Sequence, residues 1–294
     1  MWRSLVARSV RVGEVPSSNL GTPILRVAPV PQRRNGCRGV LRSGRRRWGY
    51  PRPVLRAVIF DVDFTLSWPG PGLGPEGYRQ LGALHGLELD PGRYEVARLA
   101  AVADLQAHPD LLHSEERWVV FTEDIVRGMG GDGAGSRACA VDMVRRWEEH
   151  ENFRLYDDAV SIFAILRAHR LLIGLISNGH RDLEQFAVHH ALDVDCAVGS
   201  KAHGRTKPHA SIFERALAAL DVTAGEAAMV GDSYRDDIEG ARAIGMRAIL
   251  LDREGLYPSE GDRITDLFQL PRALGLRADR GENGGSAGQT INAH

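Results

Sequence analysis

Leu55-Arg56-Ala57-Val58-Ile59-Phe60-Asp61-Val62-Asp63-Phe64-Thr65-Leu66 is the stretch whose reading decides the fold. An apolar, β-branched run stops at two carboxylates that flank a single valine. A continuous run of this kind predicts a strand buried on both faces, as in a parallel sheet. Ligands of such sheets bind beyond the carboxyl ends of the strands. The two-residue period of a strand turns Asp61 and Asp63 the same way, at that edge. By itself the segment also fits a plain turn in which an aspartate caps the next helix. The rest of the chain separates the two readings.

Downstream, Ser67 to Pro75 is a Pro/Gly-rich hinge, with Trp68-Pro69-Gly70-Pro71-Gly72 at its centre. Four helix-like stretches follow, to about Glu151. One carries apolar positions Val96, Leu99, Val102, Ala103 and Leu105. Another opens at Ser114, an N-cap, with Arg117 standing where a capping box would place Glu or Gln. Trp118 and Trp147 read as the core of this helical module rather than as a ligand platform. From Leu155 strands and helices alternate. Leu171–Ile176 is a buried strand ending in Ser177-Asn178-Gly179. Cys196–Gly199 is a short strand, and Ala227–Val230 is a strand ending in Gly231-Asp232-Ser233. Asp237–Ile244 is a helix stopped by Gly245, and Arg247–Leu251 is the last strand. The pattern predicts an α/β protein with a doubly wound parallel sheet and a small inserted helical domain. Its expected divisions are a core over 54–67 and 153–277, the insert over 68–152, and a Gly- and Asn-rich disordered tail over 278–294.

Residues 1–53 mix Arg, Pro, Gly and Ser without periodicity and are expected to lie outside the fold. Three readings compete for them: an organellar transit peptide, a basic arm for nucleic acid, or translated upstream DNA. The third is favoured by Val15-Pro16-Ser17-Ser18-Asn19-Leu20-Gly21-Thr22-Pro23, which looks like the end of a tRNA gene read as protein. On that reading no nucleic-acid partner is expected. The 294 residues carry a net charge of -1, which points to no particular partner. No apolar run approaches a membrane span, so no membrane partner is expected. Cys37, Cys139 and Cys196 are far apart and form no CxxC pair, so the sequence suggests neither a disulfide framework nor a zinc site, which fits a reducing cytosol. Nothing in the sequence reports the oligomeric state. Lysine occurs only at Lys201 and Lys207. A lysine kept in so arginine-biased a chain hints at a need for a compact ammonium, which guanidinium does not reproduce.

The polar clusters all follow predicted strands: Asp61/Asp63, Ser177/Asn178, and Asp232 with Asp236/Asp237. Lys207-Pro208 precedes a helix. Each has a dull alternative as a cap, a turn former or a surface charge, but their joint placement along one sheet edge does not. Converging carboxylates repel unless a cation joins them. Oxygen ligands too few for a full cage suit Mg²⁺, which keeps waters and shares a substrate phosphate. A nearby lysine and hydroxyl complete a phosphoryl site.

Asp61-Val62-Asp63-Phe64-Thr65-Leu66 resembles the first motif of the haloacid dehalogenase (HAD) superfamily, DxDxTL. Ser177-Asn178 is similar to its second motif, Lys207-Pro208 to its third, and Gly231-Asp232-Ser233-Tyr234-Arg235-Asp236-Asp237 to its fourth. The match runs from about Val54 to Leu276, with the motifs in order, and the helical insert resembles the family's C1-type cap. Phe64 departs from the glycine most members carry, which implies altered packing under the hinge rather than lost activity. The resemblance implies a phosphoglycolate phosphatase-like enzyme that hydrolyses a small phosphorylated metabolite in the cytoplasm. Asp61 would be the nucleophile and Asp63 the acid/base. Mg²⁺ would bind Asp61, the Asp63 main-chain carbonyl and Asp232, with Asp237 behind them. Thr65, Ser177 and Asn178 would hold the phosphoryl group, and Lys207 would neutralise charge on it and on Asp61. Asp63 argues against carbon-attacking dehalogenases, which lack the second aspartate. The lysine-free insert argues against a Schiff-base phosphonatase. A phosphomutase and a catalytically silent phosphate binder stay open, and a receiver-type signalling domain is disfavoured because it would need neither Asp63 nor a cap.

Overall fold

The computed structural model describes residues 54–107 and 111–276. The expected extension over 1–53 and the tail over 278–294 lie outside the described residues. Strand β1 (Ala57–Phe60) is followed by a short β2 (Ser67–Pro69). Four helices come next: α1 (Pro75–Leu84), α2 (Tyr94–Ala107), α3 (Glu115–Gly128) and α4 (Ser136–Arg146). Ser114 caps α3 as expected, its Oγ accepting from the Arg117 N–H at 3.3 Å. The chain re-enters the core through β3 (Phe153–Leu155), α5 (Asp157–Ala168), β4 (Leu172–Ser177), α6 (Leu183–His189) and β5 (Cys196–Gly199). It continues through α7 (Ser200–His203), α8 (Ala210–Ala219), β6 (Ala227–Gly231), α9 (Gly240–Ala243), β7 (Arg247–Leu251), β8 (Arg263–Ile264) and α10 (Leu270–Leu274). Among the described residues no helix is long and apolar enough to cross a membrane.

Six strands form one parallel sheet in the order β5-β4-β1-β6-β7-β8. The chain winds outward from β1 to β5, crosses back, and winds outward again from β6, so the order reverses beside β1. That reversal is where a doubly wound sheet opens a crevice. The two-residue period sorts the central strand onto both faces. Val58 and Phe60 pack with Ile162, Phe163 and Leu166 of α5, whereas Ala57 and Ile59 pack with Ile212, Phe213 and Ala216 of α8. The Phe60 and Phe163 rings stack with centroids 5.5 Å apart. Burial on both faces is why β1 contains no polar side chain until Asp61.

Three features differ from the sequence-based expectation. Ser67–Pro69, read as an irregular hinge, pairs antiparallel with Phe153–Leu155, so a two-stranded ribbon brackets the helical insert. Three-residue strands carry too few residues for a periodic signal. Arg263–Ile264 adds a two-residue eighth strand beyond β7 for the same reason. The helix expected from Asp237 begins instead with a π-helical turn over Tyr234–Glu239, a geometry frequent at functional sites.

Asp158, at the first turn of α5, ties the sheet's far end to the site. Its carboxylate accepts from Arg253 at 2.7 and 2.9 Å and from the buried Leu267 N–H at 2.9 Å, while Arg253 also donates to the Thr65 carbonyl at 3.1 Å. Burial works to raise the carboxyl's pKa, but Arg253 and the Leu267 N–H outweigh it and hold the group below its ordinary value. A depressed carboxylate contributes stability above its unfolded pKa of about 3.9 and loses it as pH falls through the folded value. Asp158→Ala is therefore expected to cost on the order of 3 kcal/mol at pH 7, since it strands a partly buried guanidinium and a buried N–H. In urea unfolding, the gap from wild type should narrow below about pH 4.

Candidate active site

The C-terminal ends of β1, β4 and β6 bring the predicted residues together. Asp61 follows β1, and its backbone N–H reaches the Val230 carbonyl of β6 at 2.9 Å. Lys207, 4 % exposed, donates from Nζ to Asp61 Oδ1 and to Asp237 Oδ1, both at 2.6 Å, and to the Ile176 carbonyl of β4 at 3.3 Å. Burial alone would lower this lysine's pKa, but Asp237 and Asp61 reverse the effect and raise it well above the ordinary value. The ammonium is thus permanently charged. Lys201, the other lysine, is exposed and pairs with Glu148 of the insert at 2.5 Å. Carboxylate oxygens of Asp61, Asp232 and Asp237 lie within 4.8 Å of one another. Asp61 Oδ2 is buried without a hydrogen-bond partner among the described residues. An all-oxygen donor set with one bare buried anionic oxygen fits a hard divalent cation such as Mg²⁺.

The other predicted residues are held in different ways, and of these Asp63, Ser177 and Asn178 line the cavity. Thr65 is fully buried behind the site, outside the cavity wall, and donates to Asp232 Oδ1 at 3.3 Å. The amide of Asn178 is engaged at both ends by the backbone of Lys207: Nδ2 donates to its carbonyl at 3.0 Å, and Oδ1 accepts its N–H at 2.7 Å. Both side chains hold other site residues in place. Ser177 is buried and lines the cavity. The side chain of Asp63 is outside the carboxylate triad and accepts a hydrogen bond from Arg181.

Arg181 and His180 were not singled out from the sequence. Arg181 is 3 % exposed, with its guanidinium 3.6 Å over the Phe153 ring and near Phe186. His180 is 7 % exposed, edge-on to His113 and Trp118. Burial, then His113 and Lys201, lower its pKa to about 4, so the imidazole is neutral at pH 7. Their only sequence signal is position, directly after Ser177-Asn178-Gly179 at a strand end. Phe64 has φ +65°, a left-handed conformation that costs a side-chain-bearing residue roughly 1 kcal/mol or more. Its N–H donates to the Ser67 carbonyl at 2.6 Å, closing the turn that aims Asp63.

These groups line a cavity of about 710 Å³ between the sheet edge and the insert. Trp118 and Trp147, expected to be core, are only partly buried and form part of its wall, because α3 and α4 turn that face toward the sheet.

The family model for haloacid dehalogenase-like hydrolases matches residues 55–245, and the chain belongs to that family. A phosphoserine phosphatase from Thermus thermophilus is 32% identical over 155 residues, covering 50% of this chain and 60% of that protein. Haloacid dehalogenase-like hydrolase domain-containing protein 3 from Bos taurus is 28% identical over 230 residues, covering 75% and 91%. The crystal structure of a HAD phosphatase from Thermococcus onnurineus superposes with a TM-score of 0.53 at 23% identity, over 75% of this chain and 98% of that one. The chain is an enzyme of this hydrolase family.

Gly231 leaves room for the triad. A Cβ there would stand 2.2 Å from Asp237 Oδ2 and 2.3 Å from its Cγ. Gly231→Ala should displace Asp237 from Lys207 and lower the melting temperature, with retained far-UV circular dichroism; an unchanged melting temperature would mean that the contact is slack.

Proposed function

We propose that this enzyme is a Mg²⁺-dependent phosphomonoester hydrolase that acts on small phosphorylated metabolites through an aspartyl-phosphate at Asp61. The observation that carries the reading is the state of the Asp61 carboxylate. One oxygen is held by Lys207 at 2.6 Å, and the other is buried, bare and at the cavity floor. Asp61 would attack phosphorus in line, forming an Asp61 O–P bond as the ester P–O bond breaks. Asp63, oriented by Arg181, would give its proton to the departing alkoxide and then take one from the water that cleaves the Asp61–phosphate bond, releasing inorganic phosphate. Ser177 and neighbouring backbone amides would hold phosphoryl oxygens, and Lys207 would offset charge on both the phosphoryl group and Asp61. Asp61, the Asp63 carbonyl and Asp232 would hold Mg²⁺, with Asp237 behind them, and bound Mg²⁺ would shield the nucleophile from the phosphate's charge. The insert would act as a cap that closes the cavity over the substrate. The phosphatase names of relatives support this reaction type.

The full chain is expected to release phosphate from p-nitrophenyl phosphate with Mg²⁺ and not after chelation, and Asp61→Asn to abolish the activity. A folded wild type silent on every ester tried would defeat the reading. Asp63→Asn should cut kcat by roughly 10²–10⁴ for alkyl esters, whose leaving group needs a proton. The loss should be smaller for p-nitrophenyl phosphate, and equal losses for both would remove Asp63 from the acid role.

A further inference from the structure

Phosphoryl chemistry accounts for the floor of the cavity but not for its walls. Across from the carboxylates, the insert presents Tyr94, Val102, Trp118, Phe121, Ile125 and Trp147. From the core side the ring of Phe64 joins them, at a residue whose φ of +65° any glycine would adopt without strain. A ring is thus kept at the wall against the backbone's preference. His180 also lines the cavity. Both of its ring nitrogens are buried and meet no hydrogen-bond partner among the described residues. Its orientation is fixed by the edges of His113 and Trp118, at centroid distances of 4.8 and 5.7 Å. Buried polar groups are ordinarily paired, so a fixed, unpaired imidazole on a cavity wall is matched to a group that arrives with the ligand.

Charge narrows the ligand further. Of the Lys and Arg side chains that line the cavity, the buried Lys207 and Arg181 and the partly buried Arg98 and Arg253 are already committed to carboxylates of the protein, Lys207 to Asp61 and Asp237, Arg181 to Asp63, Arg98 to Glu95 and Arg253 to Asp158, while Arg235 is exposed to solvent. A second acid group on the substrate would be desolvated without an uncommitted buried cation to receive it. The volume of about 710 Å³ falls within the roughly 300–1,000 Å³ of sites that enclose drug-sized ligands, which is more room than a two-carbon acid fills.

We propose that His180 and the ring-lined wall select phosphomonoesters whose alcohol is an uncharged ring bearing a hydrogen-bonding group, in preference to phosphorylated small acids. The inference rests on the phosphatase reading and names the substrate class of that same site. His180 is its specificity residue, donating or accepting one hydrogen bond to the ring substituent while Phe64, Trp118 and their neighbours cover the ring faces.

Three esters with primary alkoxide leaving groups test it: 3-pyridylmethyl phosphate, benzyl phosphate and phosphoglycolate. Wild-type kcat/KM should fall in that order. His180→Ala should raise KM for the pyridyl ester roughly tenfold, the worth of one hydrogen bond, with a smaller change for the benzyl ester. His180→Asn should recover part of the loss. The melting temperature of His180→Ala should not fall, which separates a ligand-binding role from a packing one. Phe64→Gly should raise KM for both ring esters while leaving stability equal or higher. Preference for phosphoglycolate, or a pyridyl-ester KM indifferent to His180→Ala, would overturn the proposal while leaving the phosphatase reading intact. Should no ester turn over, the phosphatase reading fails. Calorimetric titration of the Asp61→Asn chain with the same three esters then decides the selectivity by itself, tighter binding of the ring esters supporting it and tighter binding of phosphoglycolate overturning it.

Discussion

Lys207 is the interaction on which the rest of the site depends. Its ammonium sits between Asp61 and Asp237 at 2.6 Å from each, with the end of β4 as a third partner. Burying a charge costs several kcal/mol, and pairing repays this only when geometry is good and remaining donors are satisfied. Here all three Nζ protons have acceptors. The arrangement also fixes three chain segments against one another: the turn after β1, the end of β4 and the π-helical turn after β6. Asn178 clamps the backbone of Lys207 from the opposite side, so the lysine's main chain and its ammonium are both held. One side chain therefore stabilises the sheet edge and sets the charge environment of Asp61.

Around that fixed point the protein accepts local costs. Phe64 takes a left-handed backbone, and Arg181 is buried against Phe153 so that its guanidinium reaches Asp63. His180 keeps two nitrogens without partners among the described residues. Strained or unsatisfied groups persist where the surrounding structure over-determines them, and they gather at functional sites. All three lie in the two segments that follow β1 and β4, next to the point where the strand order reverses. The rigid sheet supplies the constraint, and the turns at its edge carry the strain.

The insert is joined to the core by the ribbon of β2 and β3, by the Lys201–Glu148 pair and by backbone hydrogen bonds between residues 111–113 and 204–206. The cavity between them has two unlike sides. Its floor is charged and comes from the sheet edge, while its roof is mostly ring and aliphatic surface from α2, α3 and the end of α4. On the proposed reading, reaction type belongs to the first side and choice of leaving group to the second.

The order and kind of the elements were legible in the sequence because buried strands are continuous apolar runs, and because each ends in a polar cluster that only a sheet edge explains. That is how Asp61, Asp63, Ser177, Asp232 and Lys207 could be placed together from pattern alone. Short-range pattern could not separate a side chain that faces the ligand from one that faces its neighbour. Thr65 and Asn178, expected from their motifs to hold a phosphoryl group, hydrogen-bond Asp232 and the backbone of Lys207. Trp118 and Trp147, expected to be core, pack against the apolar clusters and also line the cavity. Three-residue strands leave no period to detect, so the ribbon is not legible in the sequence. His180 and Arg181 carry no motif; what marks them is burial beside Trp118, Phe153 and Asp63, residues far away in the chain. The sequence by itself determined the sheet and the chemistry at its edge, since both follow from local periodicity and residue type. Only the tertiary structure decided the shape and lining of the cavity, because those depend on contacts between segments that are distant in the chain.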